Sequence, residues 1–296
     1  MKGNWYKGNI HMHTSNSDGA LSPSEMAAAY KASGYHFLVI TDHFKMTDVA
    51  GLSDDEMVVI AGEETNPTGV SGLGCDFEFL AMGLNREVSF SHIKNPDIDP
   101  QTAIDIIREY GGEAVLAHPY FSHLTLADIL PLKGLSGIEI FNPVFGLGGR
   151  SYSLVHWDEL LSSGARLWGF AGDDSHKAVH PSAGYIMVKA ESLSAEAIMK
   201  SVREGLFYAS NGPRISDITL EEQSVSVTTS DVRFINFVGD VSFPLGSVAA
   251  PEGKCINAAA YNIKPDGRHK YLRIECTDES GRSAWSNPVF FYKQGI

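Results

Sequence analysis

The chain has 296 residues, 43% hydrophobic and 20% charged, enough for one large domain and a small one. Lys and Arg total 23 against 36 Asp and Glu, a net charge of -13. That balance argues against a surface for long nucleic acid, which needs a positive field along the phosphates, but it admits a small anionic substrate drawn in by metal ions.

Up to about Gly212, short apolar strands alternate with helical patterns. Strands are expected over Asn9–His13, Phe37–Thr41, Val58–Ala61, Phe79–Gly83, Ala114–Ala117, Gly137–Ile140, Leu167–Ala171 and Tyr185–Val188. Helices are expected over Pro23–Ser33, Pro100–Tyr110, Leu126–Leu130, Tyr152–Ser163 and Ala195–Glu204. Ser22 caps the first helix, with Pro23 next, Glu25 three residues after the cap and Gly34 as the stop. Ser194 and Gly205 frame the last helix in the same way. This alternation predicts an α/β fold with a parallel sheet, open or closed into a barrel.

After Asn211-Gly212-Pro213 the helical period disappears. Ile215–Leu220, Ser224–Thr229, Arg233–Val238, Cys255–Ile263, Tyr271–Cys276 and Pro288–Tyr292 are β-rich and punctuated by turn residues. A small antiparallel β-sandwich-type domain is expected there, which divides the chain into 1–213 and 214–296. The long irregular stretches Thr65–Asp76 and Glu87–Asp99 fall on the βα side, where loops close over sites.

Cys75, Cys255 and Cys276 include no CxxC pair, so a reducing compartment is expected. Met1–Tyr6 has no apolar signal core, and no apolar run nears the ~20 residues of a membrane span. A soluble, cytoplasmic protein without membrane contact is the expectation. Oligomeric state is not legible.

Chemistry-bearing residues collect where apolar runs end. His11 and His13 are two apart on an expected strand, so both rings leave one face. Asp18 follows in the turn Ser17-Asp18-Gly19. His43 ends another apolar run, with Asp42 facing the other way and able to orient a ligand histidine. Glu63 and Glu64 follow Val58–Gly62, and only one should face inward. His118 precedes Pro119, which fixes its exit. Asp174 and His176 repeat the two-residue spacing, with Asp173 as the off-face neighbour. A set of His, Asp and Glu without Cys suits Zn²⁺, Mn²⁺ or Fe²⁺ and not a structural zinc knot.

At these residues the chain resembles the PHP family, the polymerase and histidinol phosphatase domain. The motifs read His11-Met12-His13-Thr14 with Ser17-Asp18-Gly19, Thr41-Asp42-His43, Gly62-Glu63-Glu64, Ala117-His118-Pro119 and Asp174-Ser175-His176, in family order over roughly residues 5–212. Ala284-Trp285-Ser286-Asn287-Pro288 resembles the β-domain appended to some small PHP proteins. The resemblance implies a distorted seven-stranded βα barrel, metals at the C-terminal strand ends, and metal-dependent phosphoesterase activity with two or three divalent ions. It implies that His11, His13, Glu64 and Asp174 hold one ion, and Asp18, His43 and His176 a second. Glu64 and His118 would serve a third, with Glu64 as the bridge because the family motif reads Gly-x-Glu. It also implies catalytic roles for His118 and Asp174. One departure stands out: Glu78 occupies a position where the family often has histidine, which puts the third ion in question. His92 is a poorer substitute ligand.

Arg150, Asn142 and Lys177 lie in loops suited to contact a substrate, Arg150 by a bidentate grip on phosphate. His123, His156 and His180 are weaker candidates for the same task. His36 and His269 read as structural or surface residues, and Trp157 and Trp168 as core. Hydrolysis of a small phosphate ester (phosphomonoester, phosphodiester or nucleotide) by metal-activated water is the leading expectation. An amidohydrolase-like attack on a C–N or C–O bond is the second. A non-enzymatic adaptor with a degenerate metal centre is the third.

Overall fold

The computed structural model describes residues 3–67, 76–88, 98–176, 183–263 and 269–291. The first half carries strands β1 (Asn4–Asn9), β2 (Phe37–Ile40), β3 (Val58–Thr65), β4 (Phe79–Met82), β5 (Glu113–Leu116), β6 (Gly137–Phe141) and β7 (Trp168–Ala171). Helices α1 (Pro23–Ala32), α2 (Pro100–Glu109), α3 (Leu126–Ile129) and α4 (Leu154–Ser163) are set between them. Strand β8 (Tyr185–Ala190), helix α5 (Ala195–Arg203) and β9 (Phe207–Ser210) complete this part. The expected helix starts hold except for α4, which begins at Leu154 and not at Tyr152. Ser22 Oγ accepts from Glu25 N while Glu25 accepts from Ser22 N, and Ser194 accepts from Ala197 N.

The sheet is mixed, not parallel. β1, β2 and β3 run parallel, as do β5, β6 and β7, but β4 is antiparallel to both β3 and β5. No helix was expected between β3 and β4, and a parallel pairing needs a crossover there. β8 is antiparallel to β1, and β9 to β8. The first strand also sits earlier than expected. β1 ends at Asn9, and the histidines follow it in an extended segment that forms a single parallel bridge, Met12 to Ser175. His13 N donates to Ser175 O at 3.0 Å and Asp174 N to His11 O at 2.8 Å. The segments leaving β1 and β7 are thereby tied side by side, although the strand ladder itself stays open.

The C-terminal part has no helix among the described residues. Strands β10 (Ile215–Leu220), β11 (Ser224–Val232) and β14 (Ile256–Asn262) form a three-stranded sheet, and β12 (Phe234–Gly239), β13 (Gly246–Ala249), β15 (Tyr271–Thr277) and β16 (Ser283–Ser286) extend the large sheet, with β17 (Val289–Phe290) pairing to β15. Val225, Val227 and Ile215 of the small sheet meet Ile235, Phe237 and Ile274 of the large one in a core of their own. The expected boundary near Pro213 is bridged by hydrogen bonds, because β16 pairs antiparallel with β9.

Two side-chain sets fasten the parts. Arg273, 2% exposed, makes a bidentate pair with Asp158 of α4, both contacts 2.8 Å. Asn287 accepts from Gly169 N and donates to the carbonyls of Gly205 and Phe207. Trp285, fully buried, stacks on Phe141 at the end of β6 and meets Tyr152 edge-on. Trp157 is core as expected, and His36 is a structural acceptor for Lys7 N.

Candidate metal centre

The extended segment after β1 delivers His11 and His13, both fully buried, to one point. His11 Nε2 lies 3.2 Å from Glu64 Oε2 and 3.4 Å from Asp174 Oδ1. His13 Nε2 lies 3.1 Å and 3.3 Å from the same two oxygens. These approaches are close, yet His11 Nε2, both ring nitrogens of His13 and Glu64 Oε1 form no hydrogen bond. Buried polar atoms left unpaired cost about 1–3 kcal/mol each. Here they converge on a shared space instead of pairing with each other.

Such convergence is what a cation requires. Nitrogen and oxygen ligands about 2.1 Å from a tetrahedral ion sit roughly 3.4 Å apart. The four separations above span 3.1–3.4 Å. The residues present therefore fit a divalent metal ion, by donor type and by spacing.

A second group lies on the solvent side. His13, Asp18, His43 and His176 bring one donor atom each within 4.8 Å of one another. Asp18 Oδ2 is 3.3 Å from His176 Nε2 and 3.8 Å from His43 Nε2, and Asp18 Oδ1 is 3.8 Å from His13 Nδ1. The His13 ring packs against both His43 and His176, with centroids 4.3 and 4.1 Å away, and those two lie 6.0 Å from each other. His13 thus faces both groups, one nitrogen to each. Asp174 adopts a left-handed backbone, φ 49, which lets His176 double back so that its Nδ1 meets Asp174 O at 3.0 Å.

Glu64 is the hub, as the Gly-x-Glu spacing anticipated. Its Oε2 approaches His11, His13 and His43, and its Oε1 approaches His118 Nε2 at 3.6 Å. Glu63 points the other way and accepts from Val88 N. Glu78 Oε2 is 3.5 Å from His118 Nε2, so Glu64, Glu78 and His118 make a third group.

Glu139 is the member that sequence reasoning missed. It is 1% exposed in the middle of β6. Its Oε1 meets His11 Nδ1 at 3.1 Å, and its Oε2 accepts from His118 N at 3.1 Å and Asn142 Nδ2 at 3.0 Å. A carboxylate on the far ring nitrogen fixes the tautomer and raises the basicity of the near one. A register shift between Glu139 and Phe141 re-aims this end of β6. Gly172 leaves the needed room, since a Cβ there would sit 2.6 Å from His11 Cβ and 2.8 Å from Glu139 Oε1. The available signal was a lone carboxylate inside Gly137–Ile140, a run otherwise suited to a doubly buried strand. Glu139→Gln should weaken metal binding about 10- to 100-fold, read by competition with a chromogenic chelator. Unchanged affinity would remove Glu139 from the centre.

Two expected roles need correction, those of Asn142 and Asp42. Asn142 is not open to a substrate; it is 1% exposed and donates to Glu139 Oε2 and to Asp174 Oδ2, both at 3.0 Å. Asp42 orients no histidine. It accepts from Thr14 N, Thr14 Oγ1, Ser17 Oγ and Thr47 Oγ1, and so pins the turn that carries Asp18. Asp173 accepts from Asn9, Tyr30, Tyr35 and Gly184 N, behind the centre. Arg150 is partly exposed and reaches Phe121 O and His123, on the loop that follows His118. His156 Nε2 donates to Leu124 O at 2.8 Å and props that loop. Lys177, His92 and His180 lie outside the described residues.

The charge balance is set by mutual neighbours. Burial opposes a charge on His11, but Asp174, Glu64 and Glu139 outweigh it and raise its pKa well above the ordinary value. Burial is likewise outweighed at His13 and His118, by Asp174 and Glu64 in one case and Glu64 and Glu78 in the other, and both rise to about 9. Glu64 and Asp174 are held below the usual carboxylate range, burial notwithstanding, by His11 and its neighbours. Burial and the charge of Glu64 push Glu78 up to about 7.

A pH dependence follows for the chelated protein. Raised pKa values mean that the folded chain holds more protons than the unfolded one between the two values, so stability falls as pH rises through that window. For Glu78 the window runs from 4.5 to about 7, and for His13 and His118 from 6.5 to about 9. The depressed Glu64 and Asp174 act at the acid end, losing their contribution as pH falls below the carboxylate range. The Tm of EDTA-treated protein should therefore decline from pH 5 to pH 9, and a Tm that climbs across this range would contradict the assignment. Metal binding displaces these protons, so metal affinity should rise over the same interval.

No protein-family model matches the chain. Its structure is similar to a two-domain protein containing a predicted PHP-like metal-dependent phosphoesterase from Bacteroides vulgatus ATCC 8482, with TM-score 0.54 and 14% identity over 97% of this chain and 96% of that one. A predicted metal-dependent phosphoesterase from Bifidobacterium adolescentis ATCC 15703 aligns with TM-score 0.45 and 13% identity, over 57% of this chain and 87% of that one. In sequence, 104 residues are 40% identical to the DNA polymerase/3'-5' exonuclease PolX of Bacillus subtilis (strain 168). That match covers 34% of this chain and 17% of the relative.

Proposed function

This chain is a PHP-like protein, and we propose that it is a metal-dependent phosphoesterase that hydrolyses a small phosphate ester. The observation that carries this is the convergence of His11, His13, Glu64 and Asp174 at 3.1–3.4 Å without hydrogen bonds among their facing atoms. The description given to the Bacteroides neighbour as a predicted phosphoesterase supports the choice of phosphorus. So does Arg150, a cation on the loop beside His118.

In this reading His11, His13, Glu64 and Asp174 hold one ion of the Zn, Mn or Fe type. Asp18, His43 and His176, with the second nitrogen of His13, hold another, and Glu64, Glu78 and His118 offer a third place. Bound ions there supply Lewis acidity and an activated water. Asp174 keeps the imidazoles of His11 and His13 in place. Its own position is kept by Asn142. His118, whose Nδ1 is engaged by Ser122 Oγ at 3.1 Å, presents Nε2 to the centre; with two ions bound it would give a proton to the leaving oxygen, whereas with a third ion bound that same nitrogen would be its ligand. Arg150 contacts the substrate beside the phosphate, with the edge of its guanidinium toward the ester and its face with the Tyr120 ring. We read β1 to β7 as a distorted seven-stranded barrel closed by the Met12–Ser175 bridge, and residues 214–296 as a sandwich-type domain.

The test is a screen of phosphomonoesters, phosphodiesters and nucleotides with Zn²⁺, Mn²⁺ or Fe²⁺, with metal content measured on the same sample. Turnover that disappears on chelation, and in Asp174→Ala with metal, is the expected result. Metal-dependent turnover of an amide or lactone with no phosphate ester cleaved would move the protein to the amidohydrolase-like reading. A purified chain that takes up no metal would remove both.

A further inference from the structure

We propose that Tyr120, Phe121 and Arg150 form a subsite that grips a flat aromatic ring in the organic part of the substrate, so that the ester is an aryl or nucleoside phosphate and not a sugar or polyol phosphate. This rests on the phosphoesterase reading above. The loop after His118 presents two adjacent aromatic side chains to solvent, Tyr120 at 43% and Phe121 at 40% exposure. Large rings are seldom left outside without a use when they sit together beside a site.

The loop that carries them is a braced structure. Ser122 N donates to His118 O, His123 N to Tyr120 O and Leu124 N to Pro119 O. Tyr120 N donates to Ser153 Oγ at 3.1 Å. Both ends adopt left-handed backbone, φ 24 at His118 and φ 51 at His123, a strain that non-glycine residues keep where the surroundings over-determine it. This bracing points His118 inward and the next two aromatics outward. The same turn therefore serves the centre and its rim.

The rim is next to the chemistry. The Phe121 ring stands edge-on to the His118 ring, centroids 5.4 Å apart at 87°, and the far side of His118 approaches Glu64 and Glu78. Arg150 supplies the cation: its guanidinium lies 5.7 Å from the Tyr120 ring centroid and donates to Phe121 O at 3.5 Å. Aromatic faces with a planar guanidinium favour stacking on another flat ring.

The experiment compares adenosine 5'-monophosphate, 4-nitrophenyl phosphate and glycerol phosphate on the metal-loaded protein, by turnover and by calorimetric binding. The variants are Phe121→Leu and the double change Tyr120→Leu with Phe121→Leu, which keep apolar bulk and remove the rings. In the double variant the preference for the ring-bearing ester, taken as the ratio of kcat/KM over glycerol phosphate, should fall about tenfold through KM. Loss on both ring-bearing esters indicates a general ring site, and loss on the nucleotide alone a base site one sugar away. An unchanged ratio in turnover and in binding would overturn the subsite. If no ester is cleaved but ring-selective binding is present and lost in the variant, the subsite stands and the phosphoesterase reading falls.

Discussion

His13→Ala should strip metal from both principal groups and lower kcat/KM by at least about 10²–10³-fold, the scale on which loss of one electrostatic element of a transition state is felt. That corresponds to roughly 2.7–4 kcal/mol of barrier. The reason is geometric. Nε2 of this residue approaches Glu64 and Asp174 at 3.1 and 3.3 Å, while Nδ1 faces Asp18 at 3.8 Å. His43 and His176 also face both groups, but each reaches a single inner carboxylate, Glu64 at 3.4 Å and Asp174 at 3.4 Å respectively, where His13 reaches both. His176→Ala should cost the outer group first, since His176 belongs to the cluster of His13, Asp18 and His43 and touches only Asp174 of the inner one, at 3.4 Å. Metal analysis of the two variants, beside their turnover, distinguishes a shared ligand from a member of one group. Equal metal retention in both would sink the shared role. The chelated fold should survive, because the lost contacts are to carboxylates and imidazoles of the centre rather than to the apolar core.

How much of this was legible depends on where each residue sits. His11, His13, His43, His118 and Asp174 were readable because each lies just beyond an apolar run, where a side chain leaves the sheet at the mouth of a site. Glu64 was readable once its neighbour Glu63 had to face the other way, as its contact to Val88 N bears out. Glu139 hid inside a strand, where the apolar pattern drew the eye past it. The direction of β4 went unread, since a short buried run by itself looks the same parallel or antiparallel; the signal lay outside the strand, in the missing crossover helix before it. The strand that carries Trp285 was not expected at all, since Ser283–Ser286 is only four residues long and its partner β9 is 73 or more positions away in the chain. Asn142 and Asp42 were placed near the centre correctly, but their partners are set by tertiary contacts that spacing does not encode. The exposed pair Tyr120 and Phe121 carries no sequence signal, because solvent exposure is decided by the fold around the loop.

Asp42 makes the second large prediction. It is fully buried and accepts from Thr14 N at 2.6 Å, Thr14 Oγ1 at 2.7 Å and Ser17 Oγ at 2.8 Å, with Thr47 Oγ1 as a fourth donor. Asp42→Ala leaves these donors around a hole. Each buried donor without a partner costs about 1–3 kcal/mol, and hydrogen bonds to a charged acceptor are the stronger kind. Hydroxyls can turn to other acceptors, but the Thr14 amide cannot, so a net loss of about 3–5 kcal/mol is expected. In a chain of this size that is a fall in Tm of roughly 10 °C. Asp42→Asn keeps the shape and one acceptor and should cost about half as much. The functional consequence is local. Thr14 and Ser17 flank the turn that carries Asp18, so the outer group should lose metal first while Glu64, Asp174 and His11 keep theirs. Thermal unfolding of both variants with metal measured at each stage gives the answer. Simultaneous loss of all metal at the unfolding midpoint, with none lost earlier, would mean that Asp42 supports the fold and does not anchor the Asp18 turn.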